Sequence, residues 1–67
     1  MEDFLARLII EKQELQEKAD KLRSFLGKGK ETEVVVGKIQ FALLHIQIKA
    51  MDTYLECLGA RIKDLED

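Results

Sequence analysis

Residues 39–65, IQFALLHIQIKAMDTYLECLGARIKDL, decide the fold. Within them Phe41, Leu44, Ile48, Met51, Leu55, Leu58, Ile62 and Leu65 recur at alternating spacings of three and four, without a break. That spacing is the seam of a helix packed lengthwise on another helix. A second line, Ile39, Leu43, Ile46, Ala50, Thr53, Cys57 and Ala60, follows the same rhythm. The two lines are offset by two residues, which sets them about 200° apart around the helix. A helix that is apolar on two opposite faces cannot satisfy both with one neighbour.

The partner lies towards the N-terminus. Met1, Leu5, Leu8, Leu15, Ala19, Leu22 and Leu26 form one helical stripe, with Lys12 in its one gap and Phe4 and Phe25 widening its ends. Asp3 is placed to cap the start of this helix and Gly27 its end. Glu14–Lys18 and Glu17–Lys21 are correctly oriented pairs for its outer face. Between the two helical patterns, Gly27-Lys28-Gly29-Lys30-Glu31-Thr32 carries no apolar residue and reads as the loop. Val34, Val35, Val36 and Gly37 are poor helix formers, so they read either as a short separate turn or as an extended entry. The expected fold is all-α: a single domain over residues 1–67, with a helix over about 3–26, a loop at 27–32 and a helix over about 33–66, folded as an antiparallel hairpin.

Length then predicts assembly. The first helix should run about 36 Å and the second about 50 Å. With Leu26 near Val34 and Leu5 near Glu56, the residues Leu58, Ile62 and Leu65 would project past the first helix, while Ile9 and Ile10 fall partly off its stripe. The expected remedy is a homo-oligomeric bundle of hairpins; fraying of the last turns is the alternative. Composition agrees. A 67-residue chain that is 46% apolar buries only about 60% of its unfolded surface, so it ordinarily needs a staple. One cysteine, Cys57, cannot form an internal disulfide, and one histidine, His45, adds too few ligands for a structural metal site. Neither metal nor cofactor is expected.

Eleven basic and 13 acidic residues give a net charge of −2, which disfavours a dedicated DNA binder. The longest uncharged stretch, Ile39–Ile48, is too short to span a bilayer and is interrupted by Gln40, His45 and Gln47. Glu2 and Asp3 do not open a signal peptide, and a lone thiol suits a reducing compartment. The expected location is therefore cytoplasmic.

Catalysis is not expected. Cys57 and His45 are twelve residues apart on one helix, about 18 Å by helical rise, too far for a dyad within the chain. Gly27-Lys28-Gly29-Lys30 lacks the frame of a P-loop, and no strand precedes it. His45 sits beside the main seam as an edge residue, and Cys57 reads as a small buried hydrophobe. One stripe stands out. Gln40, Gln47, Tyr54 and Arg61 recur every seven residues on the flank of the seam, where coiled coils ordinarily place Glu or Lys. Tyr54 can stack on a base, Arg61 can grip a phosphate, and Gln47 can read a base edge. Across the hairpin residue 54 should face Arg7, so Arg7 and Glu11 can join the same patch. Simple packing is the competing reading, because seam edges use such side chains to cover a core.

These residues carry a resemblance. Phe4, Arg7, Leu8, Glu11 and Leu15, then Phe25-Leu26 before the loop, then Leu43, Leu44, Gln47, Met51, Tyr54, Leu58 and Arg61 follow a pattern similar to a family of very short tailed-phage proteins related to a small crAss-like phage gene product. Val34–Gly37 departs from the polar linker of that pattern. By architecture this group resembles the helical-hairpin sponges that phages use against cyclic-nucleotide immune signalling, the anti-CBASS and anti-Thoeris proteins. The resemblance implies an oligomer that holds a nucleotide messenger between protomers in the host cytoplasm without cleaving it. It marks Arg7, Glu11, Gln47, Tyr54 and Arg61 as ligand-binding candidates. Two other readings remain open: a helical module that inhibits a host enzyme, and a hairpin-dimer regulator that binds RNA.

Overall fold

The loop is shorter and the second helix less continuous than the residue pattern suggests. The computed structural model describes residues 2–67. It contains α1 (Glu2–Leu26), α2 (Lys30–Val36) and α3 (Lys38–Glu66), with no strand among the described residues. Met1, the first member of the predicted stripe, lies outside them. The expected helix over 33–66 is thus broken at Gly37, and the expected loop over 27–32 narrows to residues 27–29. Both corrections trace to glycine. Gly29 has φ +60° and Gly37 has φ +90°, a backbone region that residues with a side chain seldom enter. Between these two glycines Lys30–Val36 closes its own two turns, and the chain turns by 116° between α2 and α3.

The ends of α1 also differ from expectation. Asp3 lies inside the first turn and caps nothing, because α1 already starts at Glu2. Gly27 still donates its N–H to the Arg23 carbonyl at 2.9 Å, and the left-handed residue falls two positions later, at Gly29. A carbonyl of the last turn of α1 is satisfied from outside: the hydroxyl of the buried Thr32, in α2, donates to the Phe25 carbonyl. That bond ties α2 to the end of α1. Neither Glu14–Lys18 nor Glu17–Lys21 closes into an ion pair; on that face Gln16 bonds Asp20 instead, at 3.0 Å.

α1 and α3 pack antiparallel, forming a rod of 46 × 14 × 14 Å. Its radius of gyration, 14.9 Å, exceeds the roughly 11 Å of a compact chain of this length. The core is accordingly one seam wide. Leu8, Ala19, Leu26, Ile48, Leu55 and Leu58 are buried, and Leu15, Leu22, Phe41, Leu44 and Met51 pack partly buried alongside. Every residue of the main α3 seam is therefore at least half-buried.

The register corrects the predicted overhang. Leu58 is fully buried, at 0% exposure, and Ile62 and Leu65 are half-buried. They do not project past α1. The chain in α2 folds back instead of advancing along the rod, so α3 slides until its C-terminal turns lie beside the N-terminal half of α1. Phe4 accordingly meets Arg61, and Arg23 meets Asp52. It is the first turn of α3 that extends beyond α1, and there α2 packs on it.

This register makes Leu58→Ala expensive, by about 2–4 kcal/mol in urea unfolding, because it leaves a cavity in a one-seam core. Leu43→Ala, on the exposed face, should cost well under that in the isolated chain. Gly37→Ala should cost about 1–2 kcal/mol, from its backbone conformation alone, since no atom lies within 4 Å of the added methyl.

Candidate functional site

Seen down the rod, the core seam has two flanks, and each is built from residues recurring every seven positions. One flank carries the predicted stripe. On α1 it holds Phe4, Glu11, Lys18 and Phe25; on α3 it holds Gln40, Gln47, Tyr54 and Arg61. The structure brings four of these together in two rungs. The Tyr54 hydroxyl donates to the Glu11 carboxylate. One rung away, the Arg61 guanidinium lies over the Phe4 ring, 5.6 Å from its centroid, a cation–π contact.

Tyr54 thus meets Glu11 rather than Arg7, one turn further along α1, through the same shift in register. Arg7 and Gln47 are both exposed. Arg7 lies one helical turn from Glu11 and from Phe4, at the outer edge of the flank. Gln47 lies two turns from Tyr54, on the far side from Arg61. The five candidates therefore share one face, with Glu11, Tyr54 and Arg61 at its centre. Tyr54 remains 44% exposed, so its ring is available for stacking. Its hydroxyl pKa is raised above 10.0 by the bond to Glu11, helped by desolvation.

The opposite flank has a different character. Arg23 grips Asp52 through two bonds, Nη1 to Oδ2 at 3.1 Å and Nη2 to Oδ1 at 2.8 Å. The bidentate bond lowers the Asp52 pKa below 3.8 and raises that of Arg23. Further along the same flank a groove of about 670 Å³ is lined by both helices. Gly59 and Gln16 line it; Ile9 and Ile62 supply apolar surface, and Lys12 and Lys63 supply charge. Gln13, Glu17 and Glu66 complete it. Lys12, which fills the gap in the α1 stripe, lies half-buried with its Cε 3.5 Å from where a Gly59 side chain would begin. That is ordinary contact, so an alanine would fit. A glycine inside a helix nonetheless costs about 1 kcal/mol relative to alanine. The groove escaped the reading of the sequence, although Gly59 in mid-helix and Lys12 in an apolar stripe were its two signals.

The third face is the second α3 seam. Ile39, Leu43, Ile46, Ala50, Thr53, Cys57 and Ala60 are all exposed, with Ile39 at 77% and Ile46 at 63%. Cys57 is therefore not the buried hydrophobe expected of it, because α1 occupies the opposite side of α3. His45 is an exposed edge residue whose ring stands at 82° to Phe41, 4.7 Å between centroids. No single helix is long and apolar enough to cross a membrane, and α2 with α3 would pass only as a bent pair.

These features define an all-α protein built on a long antiparallel helix pair. The chain belongs to the Sequestin family, whose model matches residues 2–64. No curated protein and no solved structure matches it.

The two flanks should titrate in opposite directions. Asp52 sits below its unfolded pKa, so its contribution is present above about pH 4 and is lost as pH falls through the lower folded value. Asp52→Asn should remove that acid limb from a stability–pH profile, with a small amplitude because the pair is solvated. Tyr54 sits above its unfolded pKa, so its contribution is complete below 10.0 and is lost as pH rises through the folded value. A phenolate absorbance titration should show this, and Glu11→Gln should move the midpoint down.

Proposed function

We propose that this protein is a phage anti-defence sponge. In this reading it assembles as a homo-oligomer in the host cytoplasm and holds a cyclic-nucleotide or ADP-ribose-type immune messenger in pockets between protomers, without catalysis. The observation that carries the assembly is the uncovered α3 seam. Seven residues at helix-packing spacing face away from α1, and a second copy of the same seam is their natural cover, since a repeat of this kind is self-complementary about a twofold axis. The family name suggests sequestering a ligand or partner, a task that asks for affinity rather than chemistry.

The flank of Arg7, Glu11, Gln47, Tyr54 and Arg61 supplies groups suited to such a ligand. An exposed tyrosine ring offers stacking, two guanidinium groups offer bidentate phosphate contacts, and Gln47 offers a donor and an acceptor to a base edge. The Tyr54–Glu11 and Arg61–Phe4 contacts hold two of these side chains in place before a ligand arrives, which reduces the ordering cost of binding.

Ile46→Glu tests the assembly. The wild type should sediment as an oligomer and the variant as a folded monomer; a wild type that sediments as a monomer at micromolar concentration would exclude the proposed assembly. Calorimetric titration with a panel of cyclic dinucleotides and ADP-ribose derivatives tests the ligand. At least one should bind and raise the melting temperature, the ligand should be recovered intact, and Tyr54→Ala should weaken binding by about tenfold or more. Recovery of a host enzyme with the protein, and no response to any nucleotide, would favour an enzyme inhibitor instead.

A further inference from the structure

The uncovered face of α3 is uneven in thickness. Its first half carries the large side chains Ile39, Leu43 and Ile46, and its second half the small ones Ala50, Thr53, Cys57 and Ala60. The hydroxyl on this face is already satisfied, because Thr53 donates to the Lys49 carbonyl at 3.1 Å. Two such faces laid parallel and in step would put Ile46 on Ile46 at one end and Ala60 on Ala60 at the other. That contact is crowded where the residues are large and hollow where they are small. Reversed, the same faces fit. About a twofold axis between residues 51 and 52, Leu43 falls level with the partner's Ala60, Ile46 with the partner's Cys57, and Ala50 with the partner's Thr53. Leu43 and Ile46 then each meet a small residue, the alternation that fills an interface at native density.

Charge selects the same register. On the side of this face away from Tyr54, Ala42, Lys49, Glu56 and Lys63 recur every seven residues. Lys49 and Glu56 are exposed, and neither forms an ion pair with a described residue. A twofold axis perpendicular to the helices keeps each flank beside its own copy, so each Lys49 meets the partner's Glu56. Sliding the partner by one heptad sets Lys49 against the partner's Lys49 in one direction, and Glu56 against the partner's Glu56 in the other. We propose that two chains pair antiparallel through the back of α3, centred between Met51 and Asp52, and that this pairing completes the Tyr54 flank with the partner's Gln47. The stripe of Gln40, Gln47, Tyr54 and Arg61 borders both α3 seams, so it lies in the cleft between the chain's own α1 and the partner's α3. Within one chain Gln47 is about 10 Å along the axis from Tyr54, on the side away from Arg61. The partner's Gln47 falls instead level with the stretch between Tyr54 and Arg61, about 3 Å along the axis from Tyr54. Gln47 thus joins Glu11, Tyr54 and Arg61 only from the second copy. The pairing rests on the homo-oligomer proposed above and on no choice of ligand.

Pulsed electron paramagnetic resonance on the full chain tests direction and register. With Cys57→Ala and Lys63→Cys, one nitroxide sits at an exposed position outside the seam. The proposed pairing should separate the two labels by about 35–40 Å, from the helical rise between residue 63 and the level of the partner's label. A charge exchange tests the flank. Lys49→Glu and Glu56→Lys should each raise the dimer dissociation constant about tenfold at low salt, read by sedimentation. An equimolar mixture of the two variants should recover the wild-type constant, because every facing pair is then of opposite sign. In a mixture of ¹³C-labelled and unlabelled wild-type chains, isotope-filtered NOEs should join Gln47 of one chain to Tyr54 or Arg61 of the other.

An oligomer whose labels lie below about 30 Å or above about 45 Å apart, or in which Lys49→Glu changes nothing, overturns the antiparallel pairing while the sponge reading stands. The expected distance without the filtered NOEs overturns the shared site. A wild type that stays monomeric removes this pairing and the proposed assembly together.

Discussion

The structure depends on the close packing of one apolar line of α3 against one apolar line of α1. Leu58 and Ala19, both at 0% exposure, are its fully enclosed residues. A rod only two helices thick has no second layer, so each residue on this seam carries an unusual share of the hydrophobic stabilisation. The seam also sets the register. Once Leu58 is enclosed by α1, the flanking positions are committed to their partners: Glu11 to Tyr54, Phe4 to Arg61, and Arg23 to Asp52.

That commitment separates the surface into faces with different chemistry. The flank of Tyr54 is aromatic and basic, and the groove flank is open and charged at intervals. The back of α3 is apolar and uncovered. A helix pair displays such faces simply because a seven-residue repeat keeps each position on one side of the rod. Small chains can present several binding surfaces in this way without loops or further domains. The cost is stability, which a chain of this size recovers most simply through another copy.

The helical character, the antiparallel pairing and the core list were legible in the sequence because a three-four alternation survives any change of register. Leu8, Leu15, Leu22, Ile48 and Leu55 had to face a neighbour whatever its position. The site was partly legible for the same reason: Gln47, Tyr54 and Arg61 share a flank by period alone, and Glu11 belongs opposite them. Which α1 residue meets Tyr54 was not legible. It depends on how much chain α2 consumes, and a stretch such as Lys30–Val36 carries no periodic signal long enough to show that it turns back. The groove was hidden because its lining comes from both helices, residues 9–17 of α1 and 59–66 of α3, which meet only once the helices are aligned.

By itself, then, the sequence determined that two helices pair through one seam and that α3 carries a second seam with no partner in the same chain. Local spacing and side-chain chemistry suffice for both. Only the tertiary structure decided that Leu58, Ile62 and Leu65 are covered, that Tyr54 bonds Glu11, and that a groove opens beside Gly59. The physical reason is the positive-φ backbone at Gly29 and Gly37, which folds α2 back on α3 and so fixes how far α3 slides along α1.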